Sequence, residues 1–251
     1  MSKKKKILTV IPSYNERANV EPLVDSLMAL PLDIDVMYMD DNSPDGTAER
    51  VKEVAAKYPN KNIEAVVRTS NKGFAASYID GFTRAAKRNV DLVCQMDADG
   101  QHPCDAILSM VEEIEKQDAD LVVASRYVSG GGTGDWATLR KLISEYGGFY
   151  SRRMLNMPYQ DLTGGFKLWR RELLAQMPLD QLQSEKFSIQ IETTSLAHRM
   201  GAKIIEVPFT FEVRTEGDSN MSAGVMLEGL LRVLWWAIFP ISVPRFAKSG
   251  Q

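Results

Sequence analysis

The first half of the chain alternates short apolar runs with longer stretches in which apolar residues recur every three or four positions. Short apolar runs bounded by turn residues are typical of buried strands, and the longer spacing is typical of amphipathic helices. The pattern predicts strands at 7–11, 36–39, 63–67, 90–96 and 121–124. It predicts helices between them at 18–28, 47–58, 73–88 and about 105–116. Such alternation predicts an α/β fold with a central, mostly parallel sheet flanked by helices.

This rhythm changes after Ser125. A glycine-rich loop at 129–134 precedes predicted helices at 139–156 and 187–200, and a glycine pair at 164–165 leads into an extended run. A last strand is predicted at 203–213. Pro208 lies inside it, which favours an edge strand or a bulge because proline cannot donate a ladder hydrogen bond.

The C-terminal segment 225–246 has leucines at helical spacing and becomes apolar on all sides beyond Arg232. Trp235 and Trp236 lie at its apolar edge, and Arg245 and Lys248 follow. The segment is too short and too polar to span a bilayer. Its pattern fits an interfacial membrane helix, and it fits equally a final helix docked on the protein's own core.

Two carboxylates follow the predicted fourth strand. Asp97 and Asp99 are two residues apart, so an extended backbone points both side chains the same way. Close carboxylates repel unless a cation neutralises them, and oxygen ligands suit Mg²⁺ or Mn²⁺. The alternative is an acidic strand-to-helix turn in which Asp99 or Asp105 caps a helix.

Composition narrows the class of protein. The 251 residues are 44% hydrophobic and 25% charged, enough for one large domain or two small ones. A net charge of −3 gives no case for nucleic-acid binding. Two cysteines, Cys94 and Cys104, have no metal-ligand spacing and fit a reducing cytosol.

Polar segments follow each of the first five predicted strands. The carboxyl ends of parallel strands meet at one edge, where open α/β sheets hold ligands. The chain has neither a G-x-G-x-x-G fingerprint nor a P-loop lysine. Acidic side chains and a cation would then hold the nucleotide, which favours a nucleoside-diphosphate sugar. These segments are 12–16, 40–47, 71–73, 97–101 and 125–127.

The chain resembles the inverting glycosyltransferases of family 2, which have the GT-A (Rossmann-like, nucleotide-sugar-binding) fold. Within them it resembles the dolichol- or polyprenyl-phosphate mannosyltransferases, over about residues 7–235. Many glycosyltransferases share the first three motifs, whereas the arginine-containing motifs are narrower. The resemblance is carried by 11–16, 40–47, 97–103, 125–127, 140–144, 161–166 and 206–209, with Arg214, Gly217 and Ser219.

The resemblance implies a role for each matching position. The nucleoside pocket would be lined by Pro12, Tyr14, Glu16 and Asp41. The donor pyrophosphate and its Mg²⁺ or Mn²⁺ would be held by Asp97, Ala98, Asp99 and Gln101. The acceptor phosphate would be bound by Arg126, Arg140, Ser144 and Ser219, with Arg214 reaching both phosphates from a mobile loop. Of these, the resemblance makes Asp97, Asp99, Arg126 and Arg140 catalytic. One departure is Asn220, where the family often has a lysine.

The expected organisation is a catalytic domain at 1–225, with a nucleotide-binding part at 7–125 and an acceptor part at 126–225. An amphipathic helix and tail would occupy 226–251. The expected function is transfer of mannose from GDP-mannose to a polyprenyl phosphate at the cytosolic face of a membrane. The enzyme would be cytoplasmic and peripherally attached, with a membrane-anchored subunit as a further expected partner.

Other interpretations stay open at this point. The donor could be UDP-glucose, or the acceptor could be a glycan hydroxyl, for which Glu192 is a candidate base. A lipid phosphate needs no base, because it is already ionised near neutral pH. A soluble sugar-nucleotide processing enzyme and a catalytically silent nucleotide-sugar-binding protein are the remaining alternatives.

Overall fold

The computed structural model describes residues 4–134, 138–211 and 223–248. Within the helices, the side chains of 138–140, 223, 225 and 226 are outside the description. Arg214, Gly217, Ser219 and Asn220 lie outside the described residues, so their predicted roles stay predictions.

The described chain folds into seven strands, eight α-helices and one short 3₁₀ helix. The strands are β1 (Lys6–Ser13), β2 (Asp33–Asp40), β3 (Ile63–Val67), β4 (Leu92–Gln95), β5 (Leu121–Ser125), β6 (Lys167–Arg170) and β7 (Ile204–Pro208). The helices are α1 (Arg17–Met28), α2 (Thr47–Ala55), α3 (Phe74–Ala86), α4 (Ala106–Lys116), α5 (Thr138–Leu155), α6 (Arg171–Gln176), α7 (Ile189–Arg199) and α8 (Ala223–Ile238). The 3₁₀ helix covers Leu179–Gln181.

All seven strands form one sheet in the order β3-β2-β1-β4-β6-β5-β7. The strand β6 runs antiparallel to both of its neighbours, and the other neighbouring strands pair in parallel. The chain winds outward from β1 in one direction and from β4 in the other. The crevice between the carboxyl ends of β1 and β4 is therefore the switch point at which such sheets bind ligands.

Helices cover both faces of the sheet. Alternate residues of a strand point to opposite faces, so Ile7 and Ile11 enter the core beneath α1, α2 and α4. Leu8 and Val10 enter a second core beneath α3, α6 and α7. Strands buried on both faces explain the continuous apolar runs seen in the sequence.

The predicted fold class is confirmed, and most element boundaries agree within a few residues. Pro208 ends β7 at the edge of the described sheet, as its sequence position favoured. Two details differ from the expected pattern: the helix α6 was not predicted, and β7 ends at Pro208 instead of reaching 213. Within the segment expected to hold a helix and a tail, the helix ends at Ile238. Pro240 explains that end, because the residue before a proline is restricted away from helical geometry.

The C-terminal helix has two different faces. Val233 and Trp236 are buried in a small core shared with α5 and with Met157 and Leu162. The opposite face carries exposed apolar side chains. The helix is thus docked on the protein along one side, as one of the two alternatives expected. Its other side is exposed, and a contact of that side with a membrane stays a prediction.

An extended segment at 240–248 returns from α8 to the core. The Phe246 N–H donates to the Met200 carbonyl over 2.7 Å, and Ala247 exchanges two hydrogen bonds with the Gln176 side chain. The Lys248 ammonium pairs with Asp118. These contacts fix the segment that follows α8 to the rest of the protein.

Within the described parts of the chain, none of the helices combines the length and the apolar character needed to cross a membrane.

Candidate active site

The loops that follow the first three strands turn sharply at asparagines. Asn15, Asn42 and Asn71 have φ values of 59°, 57° and 48°. Asparagine enters this left-handed region more readily than most residues, because its short side chain can bond locally to the backbone. These three turns redirect the chain from the strand ends into the loops around the crevice.

Most polar residues of the loop after β2 hold that loop in place. Asp40 accepts hydrogen bonds from the Ser43 amide at 2.9 Å and from the Ser13 hydroxyl at 3.2 Å. Asp45 accepts from the Thr47 amide at 2.9 Å. The Thr47 hydroxyl in turn accepts from the Glu16 amide at 3.0 Å. The loops after β1 and β2 are therefore joined along one wall of the crevice.

Asp41 lies in a buried ion pair with Arg68. Asp41 Oδ1 contacts the Arg68 guanidinium and lies 3.2 Å from the Ser77 hydroxyl. Asp41 Oδ2 accepts a hydrogen bond from the Gly73 N–H at 2.6 Å. This carboxylate therefore ties the loop after β3 to the end of β2. Its predicted place in the nucleoside pocket stays a prediction. Sequence reasoning did not single out Arg68, although its position directly after an apolar strand was a usable signal.

Tyr78 and His102 fix the Asp97–Asp99 turn by hydrogen bonds. The Tyr78 hydroxyl donates to Asp97 Oδ1 at 2.8 Å, and the Asp97 N–H donates to His102 Nδ1 at 3.1 Å. Burial lowers the pKa of His102 to about 4, so the ring is neutral at pH 7 and accepts at Nδ1. His102 stacks on Phe166 with ring centroids 4.8 Å apart.

The residues of this turn fit a divalent cation. The Asp97 side chain is partly exposed. The Gln101 N–H donates to Asp99 Oδ1 at 3.2 Å, and the Gln101 side chain is buried. Among the described residues, no group of three or more acidic, histidine or cysteine side chains is placed to hold a metal. The protein would supply part of an oxygen shell here, as is common where Mg²⁺ also binds phosphates.

Arg126, at the end of β5, forms a bidentate ion pair with Asp161. Its Nε and Nη2 lie 2.7 and 2.6 Å from the two carboxylate oxygens, and its backbone N–H donates at 3.0 Å. Burial favours a higher pKa for Asp161, but the Arg126 charge and these bonds outweigh it and hold that pKa below its usual range. Both side chains are buried.

Three hydroxyl groups gather beside this pair. Arg126 Nη2 donates to the Thr163 hydroxyl at 2.7 Å. The Ser144 hydroxyl lies 3.5 Å from the Thr163 hydroxyl. The Tyr127 hydroxyl donates to Ser144 at 2.7 Å. Arg126 and Ser144, both predicted to bind the acceptor phosphate, therefore lie in one polar cluster. Arg140 lies one turn earlier on α5, and its side chain is outside the described part.

The remaining predicted residues lie around the same crevice. Pro12 is buried near the end of β1, Tyr14 is 57% exposed, and Ala98 is buried between the two aspartates. The Glu16 carboxylate accepts from Asn19 at 2.7 Å at the start of α1. Their binding roles stay predictions.

The Glu192 carboxylate is held by hydrogen bonds within the protein. It accepts hydrogen bonds from the amides of Gln183 and Ser184 at 2.8 and 2.9 Å and from the Ser184 hydroxyl at 2.6 Å. Burial raises its pKa. The side chain fixes the loop before α7, so nothing in its surroundings favours a role as base for a hydroxyl acceptor.

Sequence reasoning missed a fully buried lysine below the crevice. Lys167 Nζ donates to the Gln190 carbonyl at 2.7 Å and to the Gln190 side-chain oxygen at 3.3 Å. Burial lowers its pKa to about 7. The signal was a lysine and a glutamine inside otherwise apolar elements, which local pattern alone does not connect.

The outer faces of α5 and α8 form one apolar surface. Ten of the thirteen exposed large apolar side chains in the described part of the chain lie on or directly after these helices, too many in one place for chance exposure. We call these ten the apolar surface. They are Leu142, Ile143, Tyr146, Phe149, Leu227, Leu231, Leu234, Trp235, Ile238 and Phe239. The helical spacing of Leu142, Tyr146 and Phe149 indicates an apolar face on α5, and the sequence analysis did not use it.

A mostly parallel sheet with an Asp-x-Asp turn at its switch point is the arrangement expected of a glycosyltransferase with the GT-A fold. Residues 9–177 match the domain described as Glycosyl transferase family 2. The chain belongs to this family.

Similar curated proteins match along most of their length. The undecaprenyl-phosphate mannosyltransferase of Micrococcus luteus is 36% identical over 233 residues, which cover 93% of this chain and 94% of that protein. The polyprenol monophosphomannose synthase of Mycolicibacterium smegmatis is 34% identical, over 92% of this chain and 86% of that protein. The dolichol-phosphate mannosyltransferase of Saccharomyces cerevisiae is 33% identical, over 88% and 83%.

Solved structures share the fold at low identity. Glucosyl-3-phosphoglycerate synthase from Mycobacterium tuberculosis, in a complex with Mn²⁺ and uridine diphosphate, superposes with a TM-score of 0.68 at 17% identity. The aligned parts cover 98% of this chain and 82% of that one. Mannosyl-3-phosphoglycerate synthase from Rubrobacter xylanophilus gives a TM-score of 0.68 at 16% identity, over 98% and 78%.

Replacing Asp161 with asparagine should lower the free energy of unfolding by about 3–5 kcal/mol, because it leaves the buried Arg126 charge without a counter-charge. Urea denaturation measures the change. The matched control is Asp180→Asn at an exposed carboxylate, which should change stability by no more than about 0.5 kcal/mol. A loss below about 1 kcal/mol for Asp161→Asn would contradict the importance of the pair.

The buried Lys167 should make the fold more stable as the pH rises above 7. Its folded-state pKa is about 7 against 10.5 for the free side chain, so between these values the unfolded chain binds the extra proton. Stability relative to Lys167→Met should therefore rise from pH 7 to 9 by up to about 1.4 kcal/mol per pH unit. Urea midpoints at each pH measure this difference.

The control for this pH dependence is Lys52→Met, at an exposed lysine on α2. Its difference from wild type should stay flat over the same range. A flat or falling difference for Lys167→Met would show that the Lys167 ammonium stays charged in the folded protein.

Proposed function

We propose that the chain transfers mannose from GDP-mannose to a polyprenyl phosphate at the cytosolic surface of a membrane. The observation that carries the acceptor is on α5. Ser144 belongs to the polar cluster around Arg126, while Leu142, Ile143 and Tyr146 on the same helix are exposed and apolar. A lipid phosphate has a charged head and an apolar tail, and α5 offers a partner for each within about one turn.

The similarity to curated proteins supports the same acceptor and the mannosyl group. The names of the relatives from Micrococcus luteus and Mycolicibacterium smegmatis contain a polyprenyl lipid and mannose, and the matches extend over most of each chain. The GDP part of the donor is inferred from the resemblance of the sequence motifs to the mannosyltransferases. A transfer assay distinguishes GDP-mannose from UDP-glucose, the alternative donor.

Asp97, Asp99 and Gln101 would hold a Mg²⁺ or Mn²⁺ ion together with the donor pyrophosphate. The bound cation would offset the negative charge that develops on the leaving nucleoside diphosphate. Tyr78 and His102 keep the Asp97 side chain and backbone in place before any ligand arrives, so little reorganisation is needed on binding.

The acceptor needs no general base in this proposal. A lipid monophosphate is already ionised near neutral pH, and its oxygen would attack the sugar carbon as the bond to the pyrophosphate breaks. Arg126 would orient it, with Arg140, Arg214 and Ser219 as further predicted contacts. Arg140 and Arg214 suit this task because a guanidinium group can bind phosphate in a bidentate manner. Two nitrogens of the Arg126 guanidinium are already bonded to Asp161, so Arg126 would contribute mainly its charge.

The apolar surface of α5 and α8 would rest in the lipid headgroup region. Trp235 and Phe239, with ring centroids 4.4 Å apart, suit that boundary, where aromatic rings are enriched. The enzyme would then meet its acceptor as a peripheral protein. A membrane-anchored partner subunit stays a prediction.

Asp99→Ala should reduce sugar transfer by at least about 100-fold, because the cation loses a charged ligand where charge develops. The assay follows radiolabelled sugar from GDP-mannose or UDP-glucose to polyprenyl phosphate or to the free polyprenol, with Mg²⁺ or Mn²⁺. Transfer from GDP-mannose to the phosphate, and not to the alcohol, supports the proposal.

Asp105→Ala is the matched control in the same loop. Asp105 is exposed and makes no capping bond at the start of α4, so this variant should keep wild-type activity. Transfer only to the alcohol would overturn the acceptor, and transfer only from UDP-glucose would overturn the donor. Full metal-dependent activity of Asp99→Ala would remove the proposed cation site.

The double variant Leu231→Ser with Trp235→Ser should bind vesicles of phosphatidylcholine and phosphatidylglycerol about tenfold more weakly or worse, because it removes two exposed apolar side chains. Co-sedimentation measures the bound fraction. Leu108→Ser removes an exposed apolar side chain from α4 and should leave binding unchanged. Equal vesicle binding by wild type and the double variant would mean that the apolar surface serves another purpose.

A further inference from the structure

A chain of buried polar side chains runs through the core below the crevice. It begins at Trp169 on β6, continues to Gln95 on β4 and ends at Gln190 on α7, with Lys167 beside it. All four residues are almost completely inaccessible to solvent. Buried polar groups of this kind are retained where every hydrogen bond is made or where a ligand completes them.

The hydrogen bonds fix the orientation of both amides. The Trp169 indole can only donate, and it lies 3.1 Å from Gln95 Oε1, so Gln95 must present its NH₂ group to Gln190. That NH₂ group donates to Gln190 Oε1, which also accepts from Lys167 at 3.3 Å. If the Gln190 amide were rotated by 180°, its NH₂ group would face two other donors, Gln95 Nε2 and Lys167 Nζ.

The Gln190 NH₂ group is therefore left as a donor pointing away from this network. It is buried, with 2% of the residue exposed, and Nε2 has no hydrogen-bond partner among the residues that the structure describes. A buried donor without a partner is costly to the folded protein. This cost suggests that something outside the chain pairs with it.

Gly165 marks the space that this donor faces. A Cβ atom placed on Gly165 would lie 3.1 Å from Gln190 Nε2 and 3.2 Å from Asp97 Oδ2. The missing side chain thus leaves a gap bordered by an amide donor on one side and a carboxylate of the cation turn on the other. A ligand group in this gap would be beside the place where the donor pyrophosphate is expected.

We propose that Gln190 Nε2 donates a hydrogen bond to a hydroxyl oxygen of the sugar that is transferred. A sugar hydroxyl fits both borders of the gap, because a hydroxyl can accept one hydrogen bond and donate another. Its oxygen would accept from the Gln190 amide, and its O–H group would donate to the Asp97 carboxylate. This assignment rests on the proposed use of a nucleotide-sugar donor. It makes Gln190 a sugar-binding residue that distinguishes the nucleotide sugar from the bare nucleoside diphosphate.

The test compares the binding of GDP-mannose and of GDP to wild type and to Gln190→Met by calorimetry with Mn²⁺. Methionine has a similar length and no donor, and it also lacks the oxygen that accepts from Gln95 and Lys167. Gln190→Met should weaken GDP-mannose binding about ten- to a hundredfold, as expected when a polar contact to a substrate hydroxyl is lost, and leave GDP binding within about twofold. The pair UDP-glucose and UDP is measured in the same way.

Two further variants separate recognition from damage to the fold. Thr194→Val, on the same helix, removes a buried hydroxyl that donates to the Gln190 carbonyl at 2.9 Å and leaves the amide in place. It should change neither affinity. Gly165→Ala fills the gap with a methyl group 3.1 Å from Gln190 Nε2 and keeps every donor and acceptor of the amide network. It should also weaken only the nucleotide sugar, so it serves if Gln190→Met does not fold.

Equal weakening of the sugar nucleotide and the nucleoside diphosphate by Gln190→Met would overturn the proposal, since a structural defect acts on both. Unchanged binding of the sugar nucleotide would overturn it as well. No acceptor is present, so this result is independent of the transfer assay. A failed transfer to polyprenyl phosphate with a selective loss at Gln190 would reject the acceptor and keep the sugar contact.

Discussion

The buried ion pair between Arg126 and Asp161 joins the two halves of the crevice. Asp161 also accepts the Gly164 N–H at 2.9 Å, and its own amide donates to Glu206 at 2.8 Å. Two charges in the interior are expensive unless their geometry is good and their remaining hydrogen bonds are made, and here these conditions are met. The loop from 161 to 165 is therefore fixed to β5 and β7 together.

The position of that loop determines two neighbourhoods at once. At Thr163 it meets α5 and the hydroxyl of Ser144, and at Gly165 it comes next to Asp97. The predicted acceptor side and the predicted donor side thus share one short connection. A shift at the ion pair would move both sides of the site, which is why a buried pair is useful here in spite of its desolvation cost.

Much of this arrangement was predictable from the sequence, and the reasons are local. Apolar runs such as 121–124 identify strands because both faces of this sheet are buried. The same pattern predicted that Asp97 and Asp99 follow the fourth strand, which ends at Gln95. That their side chains point the same way stays a prediction, because the backbone bends at 98–100. The C-terminal pattern predicted a helix with an apolar face. It did not reveal that α5 contributes to the same apolar surface, because the sequence of neither segment shows that the two helices pack together.

The rest depended on long-range pairing. The sequence alone does not reveal that Lys167 is hydrogen-bonded to Gln190 or that Arg68 forms an ion pair with Asp41, because the partners are 23 and 27 residues apart. The extended run near 167 was visible, but its direction and its neighbours were not. Local preference says that a strand forms, whereas the choice of neighbours is decided by the burial of the whole sheet.

The antiparallel strand β6 has a consequence for the order in which the protein can assemble. It is inserted between β4 and β5, which precede it in the chain by more than forty residues. During synthesis from the N-terminus, β4 and β5 must wait with unpaired edges until residue 170 has emerged. Unpaired apolar edges invite pairing with other chains, so a nascent or truncated chain that stops short of this point is the form most exposed to aggregation.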